Sequence, residues 1–204
     1  MATSERSDIG RRQAIRALAS GAVAAVTSAS WVESLTALAR QQAHAHAATA
    51  VIAAQDWAPR TLTAHQNELV VVLTELIIPA TDTPGAKAAN VNRFIDQVVT
   101  DAQPQVRASF VRGLTWIDAR SRALFKAKDF LSAPPEEQTT LLTRLSAAGN
   151  PNKEEAIGRD FFQAIKSMTI NGYYTSEIGL RKELGDSGQL FLPQFQGCDH
   201  PEHQ

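Results

Sequence analysis

Apolar residues recur through the middle of the chain at the three- and four-residue spacings of an α-helix. In the first such stretch, residues 64–78, the apolar stripe is so wide that the helix is expected to be buried on most of its sides. Thr63 and Gln66 stand three residues apart at its start, which is the signature of a capping box. We therefore expect this helix to be the central one of the core. Its apolar positions are Leu69, Val70, Val71, Val72, Leu73, Leu76, Ile77 and Ile78.

The helical spacing returns in four later stretches, which are separated by residues that interrupt helices. Pro79 ends the first helix because proline lacks an amide hydrogen, whereas Pro104 opens a later one. A short helix is expected over residues 177–184, capped by Thr175 or Ser176. Since no pair of strands is predicted, the fold class is all-α, a single compact helical domain. The expected inward positions are Val91, Phe94, Ile95, Val98, Val99, Val106, Phe110, Leu114, Ile117, Leu124, Leu141, Leu142, Leu145, Ile157, Phe161, Ile165 and Met168.

The acidic residues of these helices form no arrangement typical of a catalytic site. The pair Glu154-Glu155 stands at a predicted helix start, where acids suit the positive end of the helix dipole, so a solvated cap is expected. Asp96 and Asp118 have no partner that the sequence reveals, and both are assigned to helix surfaces.

A proline-rich corner follows the first helix, over residues 79–86. After Pro79, the side chain of Asp82 can bond nearby amides, Pro84 restricts the backbone, and Gly85 can adopt a positive φ. The corner is therefore expected to be rigid. It either reverses the chain or serves as a shaped contact loop for a partner.

Two aromatic groups near the end of the chain are candidates for a partner interface. Tyr173 and Tyr174 are the only tyrosines. They fit the edge of a core or an aromatic patch for another protein, since rings with a polar tip suit interfaces. Phe191 and Phe195 belong to an irregular, proline-broken tail, which must bury them against its own domain or against a partner.

The N-terminus has the features of a twin-arginine export signal. Arg11 and Arg12 are adjacent, Arg16 follows, and residues 17–32 contain no charge. An amphipathic helix that includes Leu35 is the alternative interpretation. Because the uncharged run is shorter and less apolar than the roughly 20 residues of a membrane span, no transmembrane anchor is expected.

The same region contains three cleavage signatures of small residues, so the end of the signal is left open. They are residues 27–29, 43–45 and 45–47. Retention of the segment is a further possibility.

The chain is divided into a signal and linker, residues 1–47, and a helical domain, residues 48–204. Residues 40–58 fit a linker or a helical continuation of the signal. Of the 20 basic and 21 acidic residues, 15 and 18 fall in the second part. This slightly acidic domain has no basic stripe for nucleic acid, so no nucleic-acid partner is expected.

Cys198 is the only cysteine, which excludes an internal disulfide and a cysteine-based zinc or iron-sulfur site. In an oxidising compartment it is a candidate for a disulfide with another chain, and the alternative is a plain free thiol. A metal bound by Cys198, His200 and His203 is disfavoured, because a chain terminus lacks the second shell that orients metal ligands.

Motifs that hold cofactors or nucleophiles are absent from the sequence. It contains no G-x-G-x-x-G, no C-x-x-C-H, no phosphate loop and no G-x-S-x-G. No cofactor, resident metal or catalytic residue is therefore expected in this chain, which is puzzling beside a signal that exports folded, often cofactor-loaded proteins.

Several motifs together resemble the gluconate 2-dehydrogenase subunit 3 family, which comprises the small subunits of flavin-dependent dehydrogenases of the glucose-methanol-choline type. The resemblance extends over residues 62–203 and departs from the family pattern at Asp186, where an aromatic is expected. The motifs are Leu76-Ile77-Ile78-Pro79-Ala80-Thr81-Asp82-Thr83-Pro84-Gly85-Ala86, Val91 with Phe94-Ile95-Asp96, Gly172-Tyr173-Tyr174-Thr175-Ser176, and Gly197-Cys198.

The resemblance implies a non-catalytic subunit of a periplasmic complex. In such complexes a large subunit holds FAD and oxidises a sugar, sugar acid or alcohol. A multihaem cytochrome c subunit often passes the electrons to the membrane. The small subunit carries the signal that the twin-arginine translocase reads for the folded large subunit. The alternative hypothesis is a free-standing periplasmic helical binding protein, with a metal in its C-terminal tail.

Overall fold

The computed structural model describes residues 30–46, 57–126, 128–147 and 153–188. These residues contain helices and no strand, which confirms the all-α fold class. None of the helices in these four ranges is long and apolar enough to cross a membrane. The α-helices are α1 (Ser30–His46), α2 (Ala64–Ile77), α3 (Val91–Asp101), α4 (Pro104–Leu124), α5 (Pro135–Ser146) and α6 (Ala156–Tyr174), with a 3-10 turn (Lys153–Glu155) before α6 and a π-helix (Gly179–Glu183) after it.

The central element of the core is α6, and not α2 as the apolar pattern suggested. α6 packs against each of the other five α-helices, whereas α2 packs mainly on α3 and α6. The capping box of α2 is present as expected, since Thr63 and Gln66 each bond the backbone of the other. The wide apolar stripe of α2 is only partly covered by this domain, because Val72, Leu76 and Ile77 remain half-buried.

Two glycines allow α4 and α6 to approach closely. A Cβ atom on Gly113 of α4 would lie 2.3 Å from the ring of Phe161, and one on Gly158 of α6 would lie 2.1 Å from the ring of Trp116. Each helix thus presents a glycine to an aromatic ring of the other. Trp116 therefore contributes to the packing of α4 against α6.

The first helix, α1, is part of the core, although the sequence grouped its residues with the signal and linker. It packs against α3, α4 and α6. Its buried residues recur every four positions, at Trp31, Leu35, Ala39 and Ala43, so one face is continuously covered. The compact domain therefore begins earlier along the chain than residue 48.

Three acidic residues that the sequence placed on solvated surfaces are buried. Asp96 accepts hydrogen bonds from three backbone amides, Asp118 contacts His65, and Glu155 lies between two arginines. Their partners are distant along the chain and could not be identified from local pattern. Conversely, Leu124 and Ile157 were expected inside but are exposed. Each lies in the terminal turn of its helix, on the side that faces away from the core.

Replacing Glu155 with glutamine is expected to lower the free energy of unfolding by about 2–3 kcal/mol. One carboxylate oxygen of Glu155 lies 2.8 Å from Arg120 Nη2 and 2.6 Å from Arg144 Nε, and the side chain is fully buried. The effect falls at or below the lower end of the range for a broken buried ion pair, because both arginines are partly exposed and can be rehydrated. Urea denaturation followed by circular dichroism measures it.

Glu136 supplies the matched control, because its side chain is exposed in the first turn of α5. Glu136→Gln should change the free energy of unfolding by less than about 0.5 kcal/mol. Equal losses in the two variants would contradict the structural role of Glu155.

Candidate functional site

The carboxylate of Glu75 bonds both ends of the corner loop, residues 79–86. Glu75 lies in the last turn of α2. Its Oε1 accepts a hydrogen bond from the amide of Ala80 at 3.0 Å, and its Oε2 accepts one from the amide of Lys87 at 2.8 Å. One side chain therefore holds both ends of the loop and satisfies two backbone amides that lie outside the helices.

Two further contacts attach the corner loop to the end of α6 and to the π-helix. The hydroxyl of Tyr173 donates a hydrogen bond to the carbonyl oxygen of Pro84 at 2.8 Å. The hydroxyl of Thr83 donates to the carboxylate of Glu183. The loop is thus bound to three separate elements, and the expectation of a rigid corner is met by its hydrogen bonds.

The outer side of the corner loop faces solvent. Pro79, Asp82 and Pro84 are exposed. A hydrogen bond from the Thr81 hydroxyl, together with backbone bonds at Asp82 and Thr83, lowers the pKa of Asp82 below its ordinary value. The loop therefore presents an ionised carboxylate between two prolines at neutral pH.

The sequence suggested that Gly85 provides a positive φ, but the loop needs this glycine for its small size. Its φ lies outside the left-handed region. A Cβ atom at this position would lie 2.5 Å from the amide nitrogen of Ala80 and 2.5 Å from Oε1 of Glu75. Any larger residue would therefore separate Glu75 from the loop that it holds.

The two tyrosines have different environments. Tyr173 is 1% exposed and supports the corner loop from inside, so its ring is not available to a partner. Tyr174 is 37% exposed and stacks edge-on against Tyr173, with ring centroids 5.2 Å apart. Ile170, one helical turn earlier, is 41% exposed. Of the predicted aromatic patch, Tyr174 reaches the surface, and it is joined by an aliphatic neighbour that the sequence did not single out.

An apolar groove of about 250 Å³ lies between the end of α2, α5 and α6. It includes the half-buried apolar residues that the domain itself leaves partly uncovered. Its lining residues are Leu76, Ile77, Thr139, Leu142, Thr143, Ser146, Phe162 and Lys166. Because α2 runs directly into Pro79, the groove lies next to the corner loop.

A second cleft, of about 440 Å³, contains a histidine–aspartate pair. His65 Nε2 lies 2.6 Å from Asp118 Oδ2, and Asp118 Oδ1 accepts a hydrogen bond from the amide of Phe130 at 3.1 Å. These bonds connect α2 to α4 and to the segment that precedes α5. The lining residues are Thr63, His65, Gln66, Leu69, Leu114, Thr115, Asp118, Arg122 and Asp129.

The hydroxyl groups of this cleft are already used by the helices. Thr63 Oγ1 accepts a hydrogen bond from the amide of Gln66, and Thr115 donates to the carbonyl oxygen of Val111. Hydrogen bonds from Ser132, and then the charges of nearby Arg122 and His65, lower the pKa of Asp129. The arrangement fits a polar clasp between helices rather than a nucleophile with its base.

Several predicted site residues lie outside the residues that the structure describes. They include the export-signal residues Arg11, Arg12 and Arg16, the tail residues Phe191 and Phe195, and the candidate disulfide residue Cys198. Within the described ranges, no group of three or more histidine, cysteine, aspartate or glutamate side chains could hold a metal ion. The loop-holding residues Glu75 and Glu183 were not identified from sequence, because nothing local relates a carboxylate to the amide or hydroxyl that it binds.

Comparison with known proteins identifies the family of this chain. No curated protein and no solved structure matches the chain. The family model described as gluconate 2-dehydrogenase subunit 3 matches residues 64–186. This match begins at the first residue of α2, includes the corner loop and all later helices, and ends after the π-helix. Because it covers more than half of the sequence, the chain belongs to the gluconate 2-dehydrogenase subunit 3 family.

Proposed function

We propose that this chain is the non-catalytic small subunit that binds, stabilises and co-exports the FAD-carrying large subunit of a dehydrogenase complex. Membership of the family supports its place as a subunit of such a complex. The observation that carries the proposal is the exposed corner loop, residues 79–86, which three elements of the matched region hold in one shape.

The corner loop suits a docking role because it is both exposed and rigid. A loop whose hydrogen bonds are already formed loses little conformational entropy when it binds. Its ionised Asp82 offers an acceptor to a cationic or N–H group of the large subunit. Tyr174 adds exposed apolar area beside Tyr173, which bonds the loop, and Ile170 adds more one helical turn away. The groove adds Leu76 and Ile77, which lie just before the loop in the chain. Protein interfaces combine apolar and polar area, and the corner loop and its neighbours offer both.

The chemistry of the complex belongs to the other subunits. The large subunit holds FAD and oxidises a CH–OH group of a sugar, sugar acid or alcohol, and a multihaem cytochrome c subunit accepts the electrons and attaches the complex to the membrane. The present chain supplies the twin-arginine signal, so the folded flavoprotein reaches the periplasm with it. The signal at Arg11, Arg12 and Arg16 and the family membership support this division of roles.

Replacing Asp82 with arginine is expected to raise the Kd for the large subunit by about tenfold or more, since a reversed charge meets the donor that Asp82 would face. Asp82 is fully exposed, so the loss of its hydrogen bonds within the loop should lower the melting temperature by less than about 3 °C. Binding is measured by titrating the purified flavoprotein and following its flavin fluorescence.

Glu68→Arg is the matched control, because it makes the same charge change on an exposed position of α2, away from the corner loop. If both variants bind like the unmodified chain, the loop is not the docking element. If the unmodified chain itself purifies as a stable monomer that never captures flavin absorbance, the small-subunit proposal is wrong.

A further inference from the structure

We infer that the mature protein retains α1 (Ser30–His46) and that export processing cuts the chain between Ala29 and Ser30. Three cleavage signatures occur in the sequence, at residues 27–29, 43–45 and 45–47. The structure distinguishes between them, because only the first leaves the whole of α1 on the folded domain. The processing half of this inference rests on the proposed export of the chain.

The buried face of α1 is the first reason. Leu35 and Ala39 are fully buried, and Trp31 and Ala43 are nearly so. They cover parts of α3, α4 and α6, and α6 is the central helix of the core. A cut after residue 45 or 47 would remove this helix and expose apolar surface on the three helices that it covers. The domain would lose the stability that comes from burying this surface.

A polar contact attaches the C-terminal end of α1 to α3. Gln42 Nε2 donates a hydrogen bond to Asp101 Oδ2 at 2.6 Å, and Gln97 Nε2 donates to the same oxygen at 2.7 Å. Asp101 is the last residue of α3, so the bond ties the final turns of α1 to the end of α3. The helix is therefore attached along its length.

The second reason is the conformation of the two later signatures. Proteases bind exposed, extended backbone, and ordered helices resist them. Residues 43–46 are helical, and Ala43 is buried. In the folded protein the signature at residues 43–45 therefore does not present the extended backbone that a signal peptidase requires, and residues 45 and 46 of the other signature are helical too. The signature at residues 27–29 directly precedes the first residue of α1.

The chemical step is hydrolysis by a signal peptidase. Water breaks the amide bond between Ala29 and Ser30, its hydroxyl completes the new carboxyl group of Ala29, and its proton completes the new amine of Ser30. The products are the export segment, residues 1–29, and a mature chain whose first helix is intact.

The N-terminus of the exported protein tests the cleavage site. The full chain, with a C-terminal affinity tag, is co-produced with its large subunit and purified from periplasmic extract. N-terminal sequencing and intact mass are expected to show a chain that begins at Ser30. A chain that begins at residue 46 or 48 overturns retention of α1, and an uncut chain overturns the assigned processing site.

Thermal unfolding of the full chain, produced in the cytoplasm, tests retention of α1 independently of export. Leu35→Asp introduces a charge at a fully buried position, whereas Ala37→Asp introduces the same charge at an exposed position of the same helix. We expect Leu35→Asp to lower the melting temperature by about 10 °C or more and Ala37→Asp by less than about 3 °C.

Leu35→Ala provides a milder variant where Leu35→Asp does not fold, with an expected decrease in melting temperature of about 6–12 °C. Equal melting temperatures for Leu35→Ala and the unmodified chain would overturn the core role of α1. If the protein is not exported but Leu35→Ala is destabilised, the export proposal fails while the role of α1 in the fold stands.

Discussion

Replacing Asp96 with alanine is expected to lower the free energy of unfolding by about 3–5 kcal/mol. The carboxylate of Asp96 is 1% exposed. Its Oδ2 accepts a hydrogen bond from the amide of Arg60 at 2.7 Å, and its Oδ1 accepts bonds from the amides of Thr61 and Leu62 at 3.1 and 3.0 Å. Three consecutive amides thus converge on one anion, which fastens the segment before α2 onto α3.

The size of this effect follows from what alanine leaves behind. The variant loses three charge-assisted hydrogen bonds and leaves a partly buried row of amides without an acceptor, and unmade buried hydrogen bonds are costly. Asp96→Asn keeps an oxygen for some of the amides, so a smaller loss, of about 1–3 kcal/mol, is expected. Urea denaturation followed by circular dichroism gives both values.

Gln97→Ala is the control for Asp96, because Gln97 is the next residue of α3 and bonds the exposed side chain of Arg60. Its expected loss is less than about 1 kcal/mol. If Asp96→Ala loses no more stability than this, water replaces the carboxylate as the acceptor of the three amides. The hydrogen bonds of Asp96 would then not be needed to hold the segment before α2 on α3.

Replacing both Arg11 and Arg12 with lysine is expected to keep nearly all of this chain and of its flavoprotein partner in the cytoplasm. Lysine preserves the positive charge but lacks the planar guanidinium group that binds acceptors with two parallel hydrogen bonds. Because the large subunit is proposed to be exported with this signal, the two substitutions in the small chain should also remove the flavoprotein from the periplasm. Cell fractionation with flavin absorbance and immunoblots of both chains measures the result.

The control for the arginine pair makes the same substitution elsewhere. Arg6→Lys precedes the pair, and Arg40→Lys lies on the exposed side of α1. Neither should change the distribution of the flavoprotein. Normal delivery of the flavoprotein by the double-lysine chain would show that it carries or finds another signal, and the co-export proposal would be abandoned.

Local pattern predicted the helices well, because helix formation depends on neighbours three and four residues away. The expected helix over residues 64–78 is observed as α2 (Ala64–Ile77), and its capping box is formed by the two residues that the sequence indicated. Ser176 caps the short helical segment before the tail as expected, by accepting a bond from the amide of Gly179. Most of the expected inward positions are buried.

The candidate site was predicted in part. The corner loop is exposed and held by hydrogen bonds, and its role as a contact loop stays a prediction. The reason for Gly85 and the burial of Tyr173 were not predicted. Glu75 is adjacent to the loop in the sequence, yet nothing in its spacing distinguishes a loop-holding carboxylate from an exposed one. Thr83 and Glu183 are 100 positions apart, and only folding brings them together.

Local sequence pattern was sufficient to predict the all-α fold class, the bounds of α2 and the corner loop, because backbone preferences and apolar periodicity act over a few residues. The family followed from the resemblance of several short motifs. The central position of α6, the place of α1 in the core and the burial of Asp96, Asp118 and Glu155 became evident only from the packing of the helices. Burial of a charge is decided by the groups that surround it in space, and those groups come from parts of the chain that sequence spacing does not relate.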